Sequence, residues 1–523
     1  MKIPGLSDTM GAGSSSSQSK PTRVVVHHEQ YSPGQTAGGL SVLFTTLCII
    51  DLFGVFPVVA LPKSVIACGI YGIPLVLSVF ALQLYTAVLL GRSWILAQEL
   101  SPSIKEKSRF PYAAVADLAF GIHAKRLVTF LINATIFGAG VPNFIFAAQS
   151  MQLFWWKITG GDVGVSYCVW MVLIGLLLCP VMWLGSPKDM KPIALTSVGI
   201  VFTVAVCTWT CIIMDDQSPA AGRVRQPDAR DFLVAYGIMV FQFDIHPMLL
   251  TLQVDMRDGR RIPRAAAAGF LATGALFGVT ALLAARRYGG RVESNILQGM
   301  PPSVTLYIVA LLVTLQLCLS SAVSNSALFQ QVEGLLRVPR EFGFKRCLIR
   351  SGIVILAVFL GESVPRFDVV MGLVGSTLTG PLMFIFPPLF FLKLSYVKKR
   401  QAEETILLLN EAEEKPLYST LKQNGGFGQN GDLSNLPLIC HDACAIEYST
   451  FRSRYDMIPD DYAMKWYDVV LAMAVMLMGV AATIVGTYSS WSEAISSATF
   501  TQPCLVNSTA AARSFIISTF IES

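Results

Sequence analysis

The sequence predicts an all-α polytopic membrane protein with eleven transmembrane helices, ten of them in a broken-helix 5+5 inverted repeat and one added. Three observations lead there. Only 14% of the 523 residues are charged and the mean hydropathy is +0.57, whereas soluble domains carry about 25% charged residues. Long stretches hold no Asp, Glu, Lys or Arg, and the charges collect at their edges. Two hydrophobic segments, five spans apart, are each interrupted by a carboxylate and a proline.

A membrane helix needs about 20 predominantly apolar residues. The uncharged stretches 64–91, 127–156, 163–187, 192–214, 265–285, 303–332, 369–392 and 469–492 meet that length. Three further spans complete the expected eleven: 39–61, interrupted by Asp51; 232–254, interrupted by Asp244; and 346–365, bracketed by Arg346, Arg350, Glu362 and Arg366. With the N-terminus in the cytosol, 29 of the 39 Lys and Arg fall on the cytosolic side and ten on the other. That bias agrees with the positive-inside rule and sends the C-terminus to the lumen or exterior.

The expected organisation is a disordered, Ser-rich cytosolic tail over 1–38 with no cleavable signal, a ten-helix core over 39–394, a cytosolic loop over 395–465, an eleventh helix over 466–492, and an outer tail over 493–523. In the outer tail, Asn507-Ser508-Thr509 is a candidate glycosylation site. Asn133-Ala134-Thr135 fits the same pattern but falls mid-membrane and reads as chance. Most of the 11 cysteines sit in apolar segments, where they read as small hydrophobes. Cys440-His441-Asp442-Ala443-Cys444 has no second ligand pair nearby and reads as loop, so neither metal nor cofactor is expected.

Carriers built from inverted repeats hold their solute where two helices are interrupted near the bilayer midplane. The first span contains Asp51-Leu52-Phe53-Gly54-Val55-Phe56-Pro57, and the sixth contains Phe241-Gln242-Phe243-Asp244-Ile245-His246-Pro247. Proline removes a backbone hydrogen bond and leaves carbonyls and amides for a ligand. A carboxylate in the bilayer costs a few kcal/mol even on lenient scales and therefore faces a cavity or a partner. His246 is the one histidine of five placed within a span, and histidine titrates near neutral pH. Asp51, Asp244 and His246 are thus candidates for coupling to a proton, or alternatively to sodium. A second reading makes both carboxylates caps of half-helices and His246 a structural hydrogen-bonder. In the eighth span, Ser320, Ser321 and Ser324 are spaced either to ligate a small cation or to let helices pack closely.

Several stretches resemble the amino acid/auxin permease family, which includes the vesicular inhibitory and the proton- and sodium-coupled amino acid transporters. They are Phe243-Asp244-Ile245-His246-Pro247 followed by Gln253-Val254-Asp255-Met256 and Arg261-Ile262-Pro263-Arg264-Ala265; Val292-Glu293-Ser294-Asn295-Ile296-Leu297 before Pro301; Arg350, Val364-Pro365 and Leu373-Val374-Gly375-Ser376; and Ala119-Phe120-Gly121 and Tyr85-Thr86. Together they span most of residues 40–490. The resemblance implies the eleven-helix broken repeat and amino acid transport, usually driven by protons or sodium. It also implies that the solute binds at the backbone of the first break, here Asp51 to Pro57. The candidate solute-binding residues are therefore Asp51, Gly54, Val55, Phe56, Phe243, Asp244 and Ile245. The chain departs from the pattern. The family's glycine falls on Val55 and its asparagine on Asp51, while a small residue and a glycine fall on Asp244 and Ile245. A bulky Ile245 should shrink the pocket, and two carboxylates suggest an unusual or cationic solute.

Glu403-Glu404-Thr405-Ile406-Leu407-Leu408 matches an acidic dileucine sorting signal, and residues 401–413 alternatively read as a short amphipathic helix on the membrane surface. Stretches beginning at Tyr418, Tyr448 and Tyr455 match tyrosine-based sorting signals. They point to sorting adaptors as partners and to endosomal, lysosomal or vesicular membranes, with the plasma membrane as the alternative. No Gly-x-x-x-x-Gly-Lys-Ser/Thr loop is present for an ATP-driven pump, and no catalytic constellation suggests an enzyme. The expectation is a proton-coupled amino acid carrier. The rival is an amino acid sensor signalling through 395–465, and a channel ranks third for want of a repeated pore motif.

Overall fold

The computed structural model describes residues 39–107, 110–159, 165–184, 190–215, 226–338, 343–364, 366–423 and 465–497. The helices are α1 (Val42–Phe53), α2 (Phe56–Val59), α3 (Leu61–Ala67), α4 (Gly72–Leu100), α5 (Pro111–Phe120), α6 (Ile122–Ile158), α7 (Tyr167–Leu184), α8 (Met190–Ile213), α9 (Ala229–Gln242), α10 (His246–Asp255), α11 (Ile262–Tyr288), α12 (Val304–Leu335), α13 (Phe344–Ser363), α14 (Phe367–Val374), α15 (Phe386–Gln423) and α16 (Trp466–Ser497). Two π-helical turns, Gly375–Thr379 and Pro381–Ile385, join α14 to α15.

Among the described residues, eight helical segments are long and apolar enough to cross a membrane, as a polytopic membrane protein requires. The sequence predicts eleven spans. The other three segments are helical too. Val42–Phe53 and Tyr167–Trp183 are shorter apolar helices, and α13 carries Lys345, Arg346, Arg350 and Glu362.

Local sequence explains the helix ends. Ser41 and Ser303 accept the amides of Phe44 and Leu306, each at 3.2 Å, capping α1 and α12. Asp228 and Asp231 form a reciprocal capping box at α9. Pro57, Pro62 and Pro247 stand in the first turns of α2, α3 and α10, where a missing amide hydrogen leaves no helical bond unmade. The prolines therefore begin the second half of each interrupted helix. The chain leaves the first half at Gly54 (φ +62°, ψ −151°) and over Phe243–Ile245.

The broken helices sit centrally. α1 packs on α11 and α8, α12 lies between α6 and α8, and α9 contacts α14, α16 and the first π turn. At that crossing a side chain on Gly375 would collide with the carbonyl of Gly237. α16 lies at the rim, with 22% of its apolar window buried against 61% for the α9–α10 segment. Arg350 of α13 is buried between α12 and α7, donating to Glu333 at 2.6 Å and to the Met182 carbonyl at 2.5 Å, so its charge is paired as a buried charge must be.

Three expectations outside the core change or stay open. The expected loop from 395 begins as helix, because α15 continues to Gln423; Leu407 is exposed on it and Tyr418 falls within it. Cys168 is disulfide-bonded rather than a simple hydrophobe, while Cys68, Cys211 and Cys318 form no disulfide. Residues 424–464, with Cys440, Cys444, Tyr448 and Tyr455, and the glycosylation candidate Asn507 lie outside the described residues.

Candidate functional site

The two interruptions meet at one cavity of about 100 Å³. Leu52, Phe53, Gly54 and Phe56 line it from the first break, and Gln242, Asp244, Pro247 and Met248 from the second. α6 contributes Thr135, Ala139, Gly140 and Asn143; α12 contributes Gln316, Ser320, Ser324 and Asn325; and the first π turn adds Thr379. A π turn inside a helix is frequently a functional feature, and here it bears directly on the cavity. The Gln242 side-chain amide donates to the Phe53 carbonyl at 2.9 Å, so one break is fastened to the other.

A second cavity of about 290 Å³ shares Leu52, Ile136, Pro247 and Met248 with the first. Its other walls include Leu40, Phe44, Asp51, Tyr112, Asp255 and Gln331. Along α6 the lining residues run from Ile132 in the larger cavity to Asn143 in the smaller, about 16 Å at the helical rise. The larger cavity thus leads from the breaks toward the end of the bundle that carries residue 40. One turn beyond Asn143, Phe146 packs edge-on against Phe56 (5.3 Å between centroids) and Phe367 (4.9 Å). This ring stack lies on the opposite side of the smaller cavity.

The carboxylates occupy different settings. Asp51 is in the last turn of α1, is 2% exposed and lines the larger cavity; its Oδ1 has no hydrogen-bond partner. A negative charge is disfavoured at a helix C-terminus, so Asp51 does not cap its own half-helix. Asp244 lies in the second link, where its Oδ1 accepts the His246 amide at 3.1 Å. It therefore satisfies the first amide of α10 from the position before the N-cap residue Ile245, while also lining the smaller cavity. The His246 ring is fully buried behind it, with Nδ1 at 3.7 Å from Asp244 Oδ1 and Nε2 at 3.1 Å from the Thr86 hydroxyl.

The other candidates divide. Gly54 and Phe56 line the smaller cavity, whereas Val55, Phe243 and Ile245 are fully buried and line neither. The Phe243 ring joins Phe53, Phe80 and Phe270, and Ile245 therefore does not narrow the pocket. Ser320 and Ser324 face the smaller cavity, and the Ser320 hydroxyl lies 3.5 Å from the Asp51 carbonyl. Ser321 instead accepts from Asn143 at 3.1 Å. Gln242, Gln316, Asn143 and Thr379 were not foreseen as site residues. Their signal was a side-chain amide or hydroxyl within an otherwise apolar span, weaker than a charge.

Residues 40–410 match the family model for transmembrane amino acid transporter proteins. The chain belongs to this family. It is a transporter family and not an enzyme family. Amino acid transporter AVT1D of Arabidopsis thaliana is 25% identical over 350 residues, covering 64% of this chain and 60% of that protein. Amino acid transporter AVT1H of the same plant is 24% identical, with 64% and 78% covered. The vesicular inhibitory amino acid transporter of Mus musculus is 24% identical, with 65% and 67% covered. In this chain the two broken helices face one cavity, and two acidic side chains from the breaks themselves line the path through it.

Proposed function

We propose that the protein is a secondary active transporter of amino acids, coupled to protons, that works by alternating access with its solute at the two helix breaks. The observation that carries this reading is the convergence of both breaks on one cavity. Half-helix ends supply opposite partial charges there, amides at the starts of the second halves and carbonyls at the ends of the first. A zwitterionic solute needs both. The larger cavity then serves as the approach from the cytosol, and the Phe56–Phe146–Phe367 stack as the closure toward the other side. The repeat relates spans 1–5 to spans 6–10.

Asp51 is the proton acceptor on this reading. It is a buried carboxylate with an unpartnered oxygen, on the cavity wall, at a helix end that disfavours its charge. The lysine and arginine bias favours a cytosolic N-terminus. The disulfide at Cys168, at the start of α7, fits with that end of α7 facing an oxidising lumen or exterior. Relatives named vacuolar or vesicular transporters support a vesicular or vacuole-like membrane. Each relative named above is called a transporter, which favours a carrier over a sensor.

The test is uptake of radiolabelled amino acids into proteoliposomes, with and without an inward proton gradient. Gradient-driven accumulation that Asp51→Asn uncouples is the expected result. Binding without accumulation, under proton and sodium gradients alike, would reject the reading.

A further inference from the structure

The charge-bearing side chains on the walls of both cavities are carboxylates alone, among the described residues. In the smaller cavity the one ionisable side chain among the described lining residues is Asp244. The larger cavity adds Asp51 and Asp255. No Lys, Arg or His is among the described lining residues of either. A cleft lined by one sign of charge concentrates ions of the other, and a buried charge requires a partner.

The neutral polar groups point the same way. Gln242 and Gln316 line the smaller cavity and are 4% and 0% exposed. Gln242 spends its amide nitrogen on the Phe53 carbonyl, which fixes its oxygen the other way, and the Gln316 nitrogen lies 3.3 Å from the Ser197 hydroxyl. The side-chain oxygens of both, like Asp51 Oδ1, are buried and accept no hydrogen bond. Buried acceptors without donors are rare in finished structures. Three of them lie along one path beside the Asp244 carboxylate, with the unpartnered hydroxyls of Thr135 and Thr379 on the same smaller cavity, and an ammonium or guanidinium group would satisfy them all as acceptors. His246 pairs with Asp244 from behind, its Nδ1 3.7 Å from Oδ1, but it lines neither cavity and leaves the cavity face of the carboxylate without a cation.

An amino acid with a neutral side chain brings a carboxylate and an ammonium whose charges cancel, and so brings no net cation to the cavity face of Asp244, whose protein partners, the His246 amide and ring, lie behind it. We propose that the solute is a basic amino acid, its side-chain cation held by Asp244 with the oxygens of Gln242 and Gln316. This rests on the transport reading and adds the substrate class. The continuous wall through Leu52, Ile136, Pro247 and Met248 lets a long side chain extend between the two cavities. Charge-assisted hydrogen bonds to a carboxylate are about twice as strong as neutral ones. A site built around such a bond rejects the analogue that lacks the charge.

The experiment compares arginine with citrulline, and lysine with norleucine. Arginine and citrulline share length and differ in charge, and norleucine keeps the four-carbon chain of lysine without its ammonium. Competition against tritiated arginine is measured twice with the full-length protein, by binding to the purified protein and by uptake into proteoliposomes. The expected result is a preference of about tenfold or more for the charged partner in each pair. Asp244→Asn should reduce it to within about threefold, and Asp244→Glu should keep it. Equal competition by citrulline and arginine would overturn the proposal, as would a full preference surviving in Asp244→Asn or no binding of any basic amino acid. If neutral amino acids accumulate as well as basic ones, the transport reading stands and the substrate class falls. If basic amino acids bind selectively but never accumulate, the class stands and the transport reading falls. Should Asp244→Asn fail to fold, the arginine–citrulline comparison on the unmodified protein still decides.

Discussion

The two breaks look alike in sequence and are built differently. The first turns on a glycine in a conformation that side chains scarcely reach, and its carboxylate lies inside the half-helix that precedes the turn. The second has no glycine, runs through Phe243 at φ −103° and Ile245 at φ −106°, and carries its carboxylate in the link itself. Asp244 is consequently braced by the amide of the half-helix it starts, whereas Asp51 Oδ1 has no hydrogen-bond partner. The same residue type thus braces the start of a half-helix at one break and leaves one oxygen unpartnered on the cavity wall at the other. Position relative to the helix end decides which.

The largest effect should come from the turn. At φ +62° and ψ −151° Gly54 occupies a region open essentially to glycine alone, at a cost of about 1–3 kcal/mol for other residues. A Cβ there would also come within 3.1 Å of the Gln316 amide, a cavity-lining group. Gly54→Ala should lower the thermal unfolding temperature of the detergent-purified protein and reduce uptake at least about tenfold. Ile245→Ala, at the other break, should lose uptake far less, because its side chain lines neither cavity. Equal damage from the two substitutions would show that the breaks are equivalent after all.

The smaller cap effect tests the other half of the comparison. Removing a side chain that accepts a helix-starting amide costs about 0.5–2 kcal/mol. Asp244→Ala should destabilise the protein by that order in detergent unfolding, and Asp244→Asn, which keeps an acceptor oxygen, by a few tenths. A drop of the same size for both would mean that the His246 amide bond contributes nothing and that Asp244 is held by other contacts.

The places of both breaks were legible in the sequence, and the difference between them was not, for definite reasons. Asp51, Gly54, Asp244 and the prolines located both breaks, since a charge inside an apolar run is costly unless it faces a cavity or a partner. The sequence could not say that Pro57 and Pro247 open the second half-helices instead of ending the first. A proline fits the first turn of a helix as well as it interrupts one. Nor could it say which way a short link turns its side chains. Phe243 lies beside Asp244 in sequence, yet its ring faces the Phe53–Phe80–Phe270 cluster, a choice made by packing partners far along the chain. Gln242 and Gln316 escaped notice because an uncharged amide in an apolar helix is compatible with many roles. Their unpartnered oxygens become visible only in three dimensions. A short amphipathic helix over 401–413 was legible as an alternative, but its continuity with the preceding span as α15 was not, because polar composition suits an exposed helix as well as a loop.

The smallest effect has the opposite sign. Asp51 places an ionisable oxygen without a hydrogen-bond partner in the last turn of α1, where the aligned carbonyls already carry partial negative charge. Asp51→Asn keeps the shape and removes the charge, so it should stabilise the purified protein by about 0.3–1 kcal/mol. The gain should be present where the native carboxylate is ionised and should vanish at acid pH, where both side chains are neutral. Unfolding temperatures of the two proteins, followed from acid to alkaline pH, would therefore diverge upward. Curves that stay parallel would mean that the Asp51 charge is compensated in the folded protein. The difference between the breaks would then lie only in the glycine turn.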